Sequence, residues 1–268
     1  MMCNTSKIMY MLLRCACLAL LIIMIMSEYA EAQGGRPRRL SLGLYGTYSM
    51  DMHNVNFLEL PTIPIFTPRT GGSNEPGAFS PTTAWNPAFG LVAEYALDER
   101  LSVGIRVHYA TQDVRLTTRA SYRVGRSDGT FANAISEYSL SDSIQILGVE
   151  PMVSYTLWEG LSVHLGVRLG FILSAKYYQV ETLIEPSDGS FFSGTVPIRT
   201  RNPRTGDLPE AVTFTIAPIL GLSYAIPITE RLIVQPEAFL SYSLMPVVKD
   251  IEWRVHSLRP GLAVRYKL

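Results

Sequence analysis

Eight charged or histidine residues of the chain are spaced so that strands would gather them on one face. In the segments 101–109 and 161–171, every odd position is apolar, while histidine, arginine, serine or glycine occupies the even positions. Side chains at alternate positions of a strand share a face. Neighbouring segments continue this register, and the residues that share it are Glu94, Arg106, His108, Glu150, His164, Arg168, Glu237 and Arg265.

Two kinds of chemistry are open to this set. Its three glutamates match its three arginines in number, so they can neutralise one another as buried ion pairs. Its two histidines could ligate a metal or act as a base, but we favour hydrogen bonding within a polar interior. Asp51 and His53 near one rim keep a protease-like alternative open, and we expect His53 and His256 on or near external loops.

Recognised catalytic and cofactor motifs are missing from the sequence. It has no phosphate-binding or dinucleotide-binding glycine loop, no zinc-protease helix motif and no serine-hydrolase motif. We therefore expect no catalytic residue, no cofactor and no metal.

Period-two alternation predicts the strands that would position these residues. The two segments above are 9 and 11 residues long, which suits a tilted strand that crosses a bilayer. The pattern predicts eight strands, at 39–50, 87–97, 101–114, 143–157, 161–174, 212–226, 232–244 and 253–268. Long connections are predicted at 51–86, 115–142, 175–211 and 245–252. They alternate with short turns at the opposite end of the barrel, as is typical of outer-membrane barrels. Prolines fall inside predicted strands at Pro151, Pro218 and Pro236, and we expect bulges or strand ends there.

A tyrosine stands two residues before an aliphatic residue near the end of four strands, at Tyr95, Tyr155, Tyr224 and Tyr266. Tyrosine is enriched where a membrane meets water, so this recurrence predicts an interfacial ring. A soluble ligand-binding barrel of the lipocalin type is the structural rival, because it would turn the apolar face inward. We favour the membrane orientation, since an arginine exposed to lipid near the midplane costs roughly 2–4 kcal/mol.

The N-terminal segment predicts export. Lys7 and Arg14 precede an apolar run, and Ala30 and Ala32 follow it, as in a cleaved secretory signal peptide. We assign residues 1–32 to this signal peptide and 33–268 to one barrel domain; an uncleaved membrane anchor is the alternative. All three cysteines lie within 1–32, so the predicted mature chain has no disulfide. The balance of 23 basic and 23 acidic residues argues against a nucleic-acid partner.

Alternation continues to the last residue of the chain, through Gly261, Val264, Tyr266 and Leu268. These positions resemble the C-terminal signal that the barrel-assembly machinery reads, with Leu268 where phenylalanine is usual. Across residues 39–268, pattern and strand number resemble the eight-stranded OmpA/OmpX-like family of outer-membrane barrels. The resemblance implies an all-β fold, an eight-stranded antiparallel up-and-down transmembrane β-barrel in the bacterial outer membrane. It also implies three partners: outer-membrane lipids, the barrel-assembly machinery and periplasmic chaperones.

The expected barrel size bears on function. Eight strands enclose a space just wide enough for the interior side chains to fill. We therefore expect a structural or interaction role, with long external loops facing the environment and a closed polar interior. A narrow small-solute channel is one alternative, and a membrane-embedded hydrolase is another. Fold alone does not identify the ligand of the loops.

Overall fold

The computed structural model describes residues 39–57, 78–125, 130–187, 189–193 and 196–268. The predicted signal peptide and most of the first predicted connection lie outside these ranges. The strands are β1 Leu40–Asn56, β2 Thr82–Ala96, β3 Leu101–Gly125, β4 Phe131–Trp158, β5 Leu161–Glu185, β6 Phe191–Ser193, β7 Val196–Ile198, β8 Thr200–Asp207, β9 Phe214–Tyr224, β10 Ile226–Pro227, β11 Leu232–Ser241 and β12 Glu252–Lys267. Within the described ranges, no helix is long and apolar enough to cross a membrane.

Eight of the described strands close into a ring. Each of β1 to β5 pairs with the next, β5 pairs with β9, and β9 pairs with β11. Next, β11 pairs with β12, which returns to β1, and every pairing is antiparallel. Leu44 illustrates the closure, because it lies opposite Leu91 on one side and Val264 on the other. The predicted eight-stranded up-and-down barrel is confirmed.

The outer surface of the ring is an apolar belt between two levels of aromatic residues. Its aliphatic side chains are exposed, with Leu44 at 65% and Leu165 at 64% of full exposure. Tyr95, Tyr155, Tyr224 and Tyr266 mark the end near the short turns. The rings of Tyr48, Trp85, Phe89, Tyr109, Phe171 and Phe214 mark the other end. An apolar outside with a polar inside is the arrangement of a transmembrane barrel, and it excludes the lipocalin-type orientation.

Three strands run far beyond the belt, which corrects the predicted loops. The connections 115–142 and 175–211 are largely strand, because β3 continues to Gly125, β4 begins at Phe131 and β5 continues to Glu185. The protruding sheet is our name for four segments together: β3 from residue 112 onward, β4 up to residue 145, β5 from residue 174 onward, and all of β8. Its apolar residues face inward and its polar residues outward, the reverse of the belt, because its outer face meets water. The predicted strands end too early because they assume apolar residues on the outer face throughout.

Asn86 lies where β2 and β3 stop pairing. The pairing of β2 with β3 ends at Ala88 and Ala110. One step beyond, the Asn86 side-chain carbonyl accepts the Asp113 backbone N–H at 2.9 Å, and its amide donates to the Asp113 carbonyl at 3.3 Å. The same amide donates to the Asp51 carboxylate at 2.8 Å. A side-chain amide thus replaces one more backbone pair, and β3 continues into the protruding sheet without β2.

Pro151, Pro218 and Pro236 lie inside strands, as do Pro87 in β2 and Pro260 in β12, and they have different surroundings. Only five residue pairs join β9 to β11, from Ile219 to Ser223 on β9, and Pro218 and Pro236 flank this ladder. Proline cannot donate a ladder hydrogen bond, but its carbonyl can accept one, and the seam continues past Pro218: Tyr242 N–H donates to the Pro218 carbonyl at 3.1 Å and Leu244 N–H to the Ile216 carbonyl at 3.0 Å.

Pro151 lies in the middle of β4 opposite Ile105, with no register shift there. Pro218 likewise pairs with Val167, and Pro236 with Leu262, without a register shift. The expectation of a bulge or strand end is therefore wrong for all three prolines.

Candidate functional site

Glu150 on β4 lies at the centre of the barrel interior and is fully buried. Its Oε1 accepts a hydrogen bond from Arg259 Nη1 at 2.5 Å. The same oxygen lies 3.7 Å from His108 Nδ1 and 3.9 Å from Arg168 Nε. One carboxylate therefore faces two arginines and a histidine in a place that water does not reach. A buried charge is tolerated only when it is paired, so these contacts hold the middle of the barrel together.

Two further ion pairs lie beside this centre and nearer the short turns. Arg106 of β3 donates to Glu237 of β11, which joins opposite walls of the ring. The Arg106 guanidinium also stacks over the Tyr45 ring, 3.7 Å from its centroid. Nearer the short turns, Arg265 Nη1 lies 2.7 Å from Glu94 Oε2. Each pair bridges strands, so the charges cross-link the interior.

The structure places all eight residues of the sequence-derived set inside the barrel, but in a different pairing scheme. Arg259 was missed, although it lies six positions before Arg265 and therefore on the same face of β12. Its register with Arg265 was the signal that could have identified it. Asp51 also points inward and is 1% exposed. Adding these two gives four arginines and four carboxylates in the set, rather than three and three, among the described residues of the polar interior.

His164 belongs to a separate polar chain. Its Nδ1 lies 2.7 Å from Ser154 Oγ, and its Nε2 lies 2.6 Å from Ser223 Oγ. The Gln235 amide donates to the same Ser223 hydroxyl. All four side chains are buried. A serine beside a histidine is the arrangement of a nucleophile and its base, but here both ring nitrogens are occupied and the group is enclosed. Its geometry is that of hydrogen-bonded packing between β4, β5, β9 and β11.

Asp51 and His53 lie on β1 rather than in a loop, which corrects the predicted rim pair. Both are 1% exposed. The Asp51 carboxylate accepts from Ser49 Oγ at 2.6 Å, and His53 Nδ1 accepts from Trp253 Nε1 at 3.1 Å. The two side chains therefore form hydrogen bonds within β1 and to the neighbouring strand β12. His256 lies near the connection between β11 and β12, as expected: it is on β12, its Nδ1 accepts the Ser243 backbone N–H at 3.1 Å, and its ring stacks on the outward Tyr242.

The four predicted interfacial tyrosines all point outward at the end of the barrel near the short turns. Tyr155, Tyr224 and Tyr266 are each a little under half exposed. The Tyr266 hydroxyl accepts from Arg231 Nη1 at 3.0 Å. At the chain end, the Leu268 N–H donates to the Leu40 carbonyl at 2.9 Å, beyond the last pair of the β12–β1 ladder. Val264 also points outward, while Gly261 packs against Thr47.

A second group of buried side chains, which we call the upper core, closes the barrel at the end far from the short turns. These buried residues belong to one apolar cluster: Val55, Phe57, Phe79, Val114, Leu116, Ala120, Tyr138, Leu140, Ile144, Ile146, Leu208, Val247, Val248, Trp253 and Val255. Val247 and Val248 come from the connection between β11 and β12, which folds inward and pairs Val248 with Ala211. Trp253 and Val248 are fully buried. The far mouth is therefore packed with apolar side chains, which the expectation of a polar interior did not include.

Asp142 is buried beside this upper core. It lies between Val114 and Tyr177 of the adjacent strands and between Leu140 and Ile144 of its own face. It is 3% exposed, and neither carboxylate oxygen has a hydrogen-bond partner among the described residues. The position is five residues beyond the belt residue Leu147, outside the membrane. Burial raises the pKa of Asp142 to about 8, because desolvation disfavours the charged form.

We expect Asp142→Asn to stabilise the protein at high pH and to change little at low pH. The folded-state pKa lies above the value of the unfolded chain, so stability falls as pH rises from about 4 to about 8. The loss approaches about 1.4 kcal/mol per pH unit within that window. Urea unfolding of both proteins at pH 4, 6 and 8 measures the difference. The exposed Asp113→Asn is the matched control, and a difference that does not grow with pH would contradict the burial argument.

Comparisons with known proteins give structural matches only. No family model and no curated protein matches the chain. Ail, the attachment invasion locus protein of Yersinia pestis, is 8% identical over 85% of this chain and 99% of its own, with a TM-score of 0.37. Neisserial surface protein A is 11% identical over 85% and 97%, with a TM-score of 0.34. OprG of Pseudomonas aeruginosa is 9% identical over 88% and 99%, with a TM-score of 0.27.

All three are similar to this chain at low identity. The closed ring of strands and the outward apolar belt are features of the chain itself, and they are the features of a barrel that spans an outer membrane. The chain is an eight-stranded transmembrane β-barrel of the outer-membrane type, located in the bacterial outer membrane.

Proposed function

We propose that the protein is a non-conducting outer-membrane barrel that holds a rigid β-sheet at the cell surface for interaction with its surroundings. The filled interior is the observation that carries the proposal. Ion pairs centred on Glu150 occupy the middle of the barrel, and the upper core closes the far mouth. A continuous path for solute would have to displace both fillings.

The protruding sheet supports the interaction role. β3 and β4 pair without a register shift from Leu101 to Gly125, so belt and protruding sheet form one continuous ladder. Here paired strands form the surface that loops would otherwise form. Paired strands lose little conformational entropy when a partner binds. The sheet is thus a preorganised surface fixed to a membrane anchor.

Planar-bilayer conductance of the refolded protein tests the proposal. We expect no steady current from the wild type. Arg106→Ala/Glu237→Ala combined with Val248→Ala/Trp253→Ala removes both members of an ion pair and two side chains of the upper core, so it opens both fillings without leaving a lone charge, and this variant should leak. It shows that the assay detects an opened interior. Steady, ion-selective current through the wild type would instead support the small-solute channel and reject the closed barrel.

A further inference from the structure

Three arginines form a row on the outer face of the protruding sheet. Arg115, Arg119 and Arg123 are spaced by four residues on β3, so they share a face, with steps of about 13 Å along the strand. The Arg115 and Arg119 side chains are 61% and 65% exposed. We call these three residues the arginine row.

The position of the row relative to the membrane follows from the strand. Tyr109 is the last aromatic residue of the belt on β3, and Arg115 lies six residues beyond it. A strand tilted by about 40° rises roughly 2.5 Å per residue along the membrane normal. Arg115 therefore lies about 15 Å, and Arg123 about 35 Å, above the belt by the same estimate. At these heights the row is beyond the lipid headgroups.

The row carries more positive charge than its neighbours neutralise. Among the described side chains, Glu137 pairs with Arg115 at 3.5 Å and with Arg119 at 3.4 Å. One carboxylate is thus shared by two guanidinium groups. Arg123 stacks over the exposed ring of Phe131, 5.5 Å from its centroid. Asp113, exposed two residues before Arg115, adds a second carboxylate to this face, so one positive charge of the row remains without a matching carboxylate, toward the Arg123 end.

The surroundings of the row suit sugars. Thr117 and Ser121 lie between the arginines on the same face of β3, and they add hydroxyl groups. Two strands away, Tyr178 is 47% exposed opposite Ser141, in register with Arg115. Guanidinium groups bind phosphate and carboxylate groups through paired hydrogen bonds, while aromatic rings and hydroxyl groups contact sugar rings. An anionic, linear and hydroxylated ligand fits this combination.

The direction of the row identifies the source of such a ligand. The arginines lie on the same face of β3 as the lipid-facing belt, so they point sideways from the barrel wall rather than upward into the medium. The groups beside the wall at this height are the sugar chains of outer-leaflet glycolipids. We propose that the arginine row binds the anionic sugar chains of the glycolipids around the barrel. A second copy facing the row would meet arginine with arginine, which disfavours that occupant.

The inference rests on the proposed surface role, and binding of a released oligosaccharide tests it separately. The probe is the phosphorylated core oligosaccharide released from lipopolysaccharide, titrated into the refolded full chain in detergent. We expect Arg115→Gln/Arg119→Gln/Arg123→Gln to weaken binding by about tenfold or more, and added salt to weaken wild-type binding. The matched control is Arg39→Gln/Arg100→Gln/Arg231→Gln, with the same change in charge near the short turns, and it should bind like the wild type.

Three outcomes would overturn the proposal. Equal affinity of the row variant and the wild type would show that the row is not the site. Equal binding of the dephosphorylated oligosaccharide would exclude anion recognition. Equal loss of binding to lipid A, which lacks the core and outer sugar chains, would assign the row to the lipid headgroup instead. Conductance remains independent of these results, so a conducting wild type would reject the closed barrel whether or not the row binds sugar.

Discussion

Replacing Glu150 by glutamine should destabilise the barrel by about 3–5 kcal/mol, the usual cost of leaving a buried charge without its partner. The substitution keeps the shape of the side chain and removes its charge. Arg259, at 2.5 Å, and Arg168, at 3.9 Å, would then face each other across the interior without a carboxylate between them. We expect a lower urea midpoint for the loss of the folded form in unheated electrophoresis.

Glu137→Gln is the matched control for this experiment. Glu137 also contacts two arginines, but those arginines are mostly exposed to solvent on the protruding sheet. Surface ion pairs of this kind contribute about 0–1 kcal/mol. The two glutamates therefore differ in burial rather than in partners. Equal destabilisation by both substitutions would mean that the interior of the barrel is hydrated and screens its charges.

A charge placed in the middle of the belt should have the second large effect. Leu165 on β5 is 64% exposed on the outer surface, opposite Val153 and Leu220 of the adjacent strands. Leu165→Arg would expose an arginine to the hydrocarbon of the membrane, at a cost of about 2–4 kcal/mol. We expect less protein in the heat-modifiable, membrane-assembled form, since the closed barrel migrates differently from the boiled chain.

Ser102→Arg gives the comparison on the other face. Ser102 points inward near the short turns, where it lies opposite Ser154. An arginine there can reach water at the nearby mouth, so we expect assembly close to that of the wild type. If Ser102→Arg impaired assembly as much as Leu165→Arg, then the assignment of outer and inner faces would be wrong.

The belt could be predicted from the sequence because two physical demands coincide there. Lipid requires apolar residues outside, and ion pairing requires charged residues inside, so period-two alternation identifies both faces. Arg106 and His108 alternate with Val107 in this way. The closing of the ring and the outward position of Tyr155 followed from the same pattern.

Beyond the belt the pattern reverses, and prediction from the sequence failed there. Leu116 and Tyr138 are buried in the upper core, whereas a continued belt would have placed residues of their parity among the polar ones. Without the structure, alternation alone does not tell which face meets water. Asp142 was missed for a related reason: a single carboxylate between Ser141 and Ser143 looks like part of a polar loop.

The end of the β2–β3 pairing separates two dimensions of the barrel. The number of strands sets the circumference, and strand length sets the height. Here the ladder ends at Ala88, beside Pro87, which has no N–H to donate, and the Asn86 side chain takes the Asp113 backbone groups just beyond it. Beyond that point the wall is no longer a closed tube but the open protruding sheet. Evolution or design could therefore lengthen the protruding sheet residue by residue without altering the bore of the barrel. The position of Asn86 would mark the boundary between the closed barrel and the open sheet.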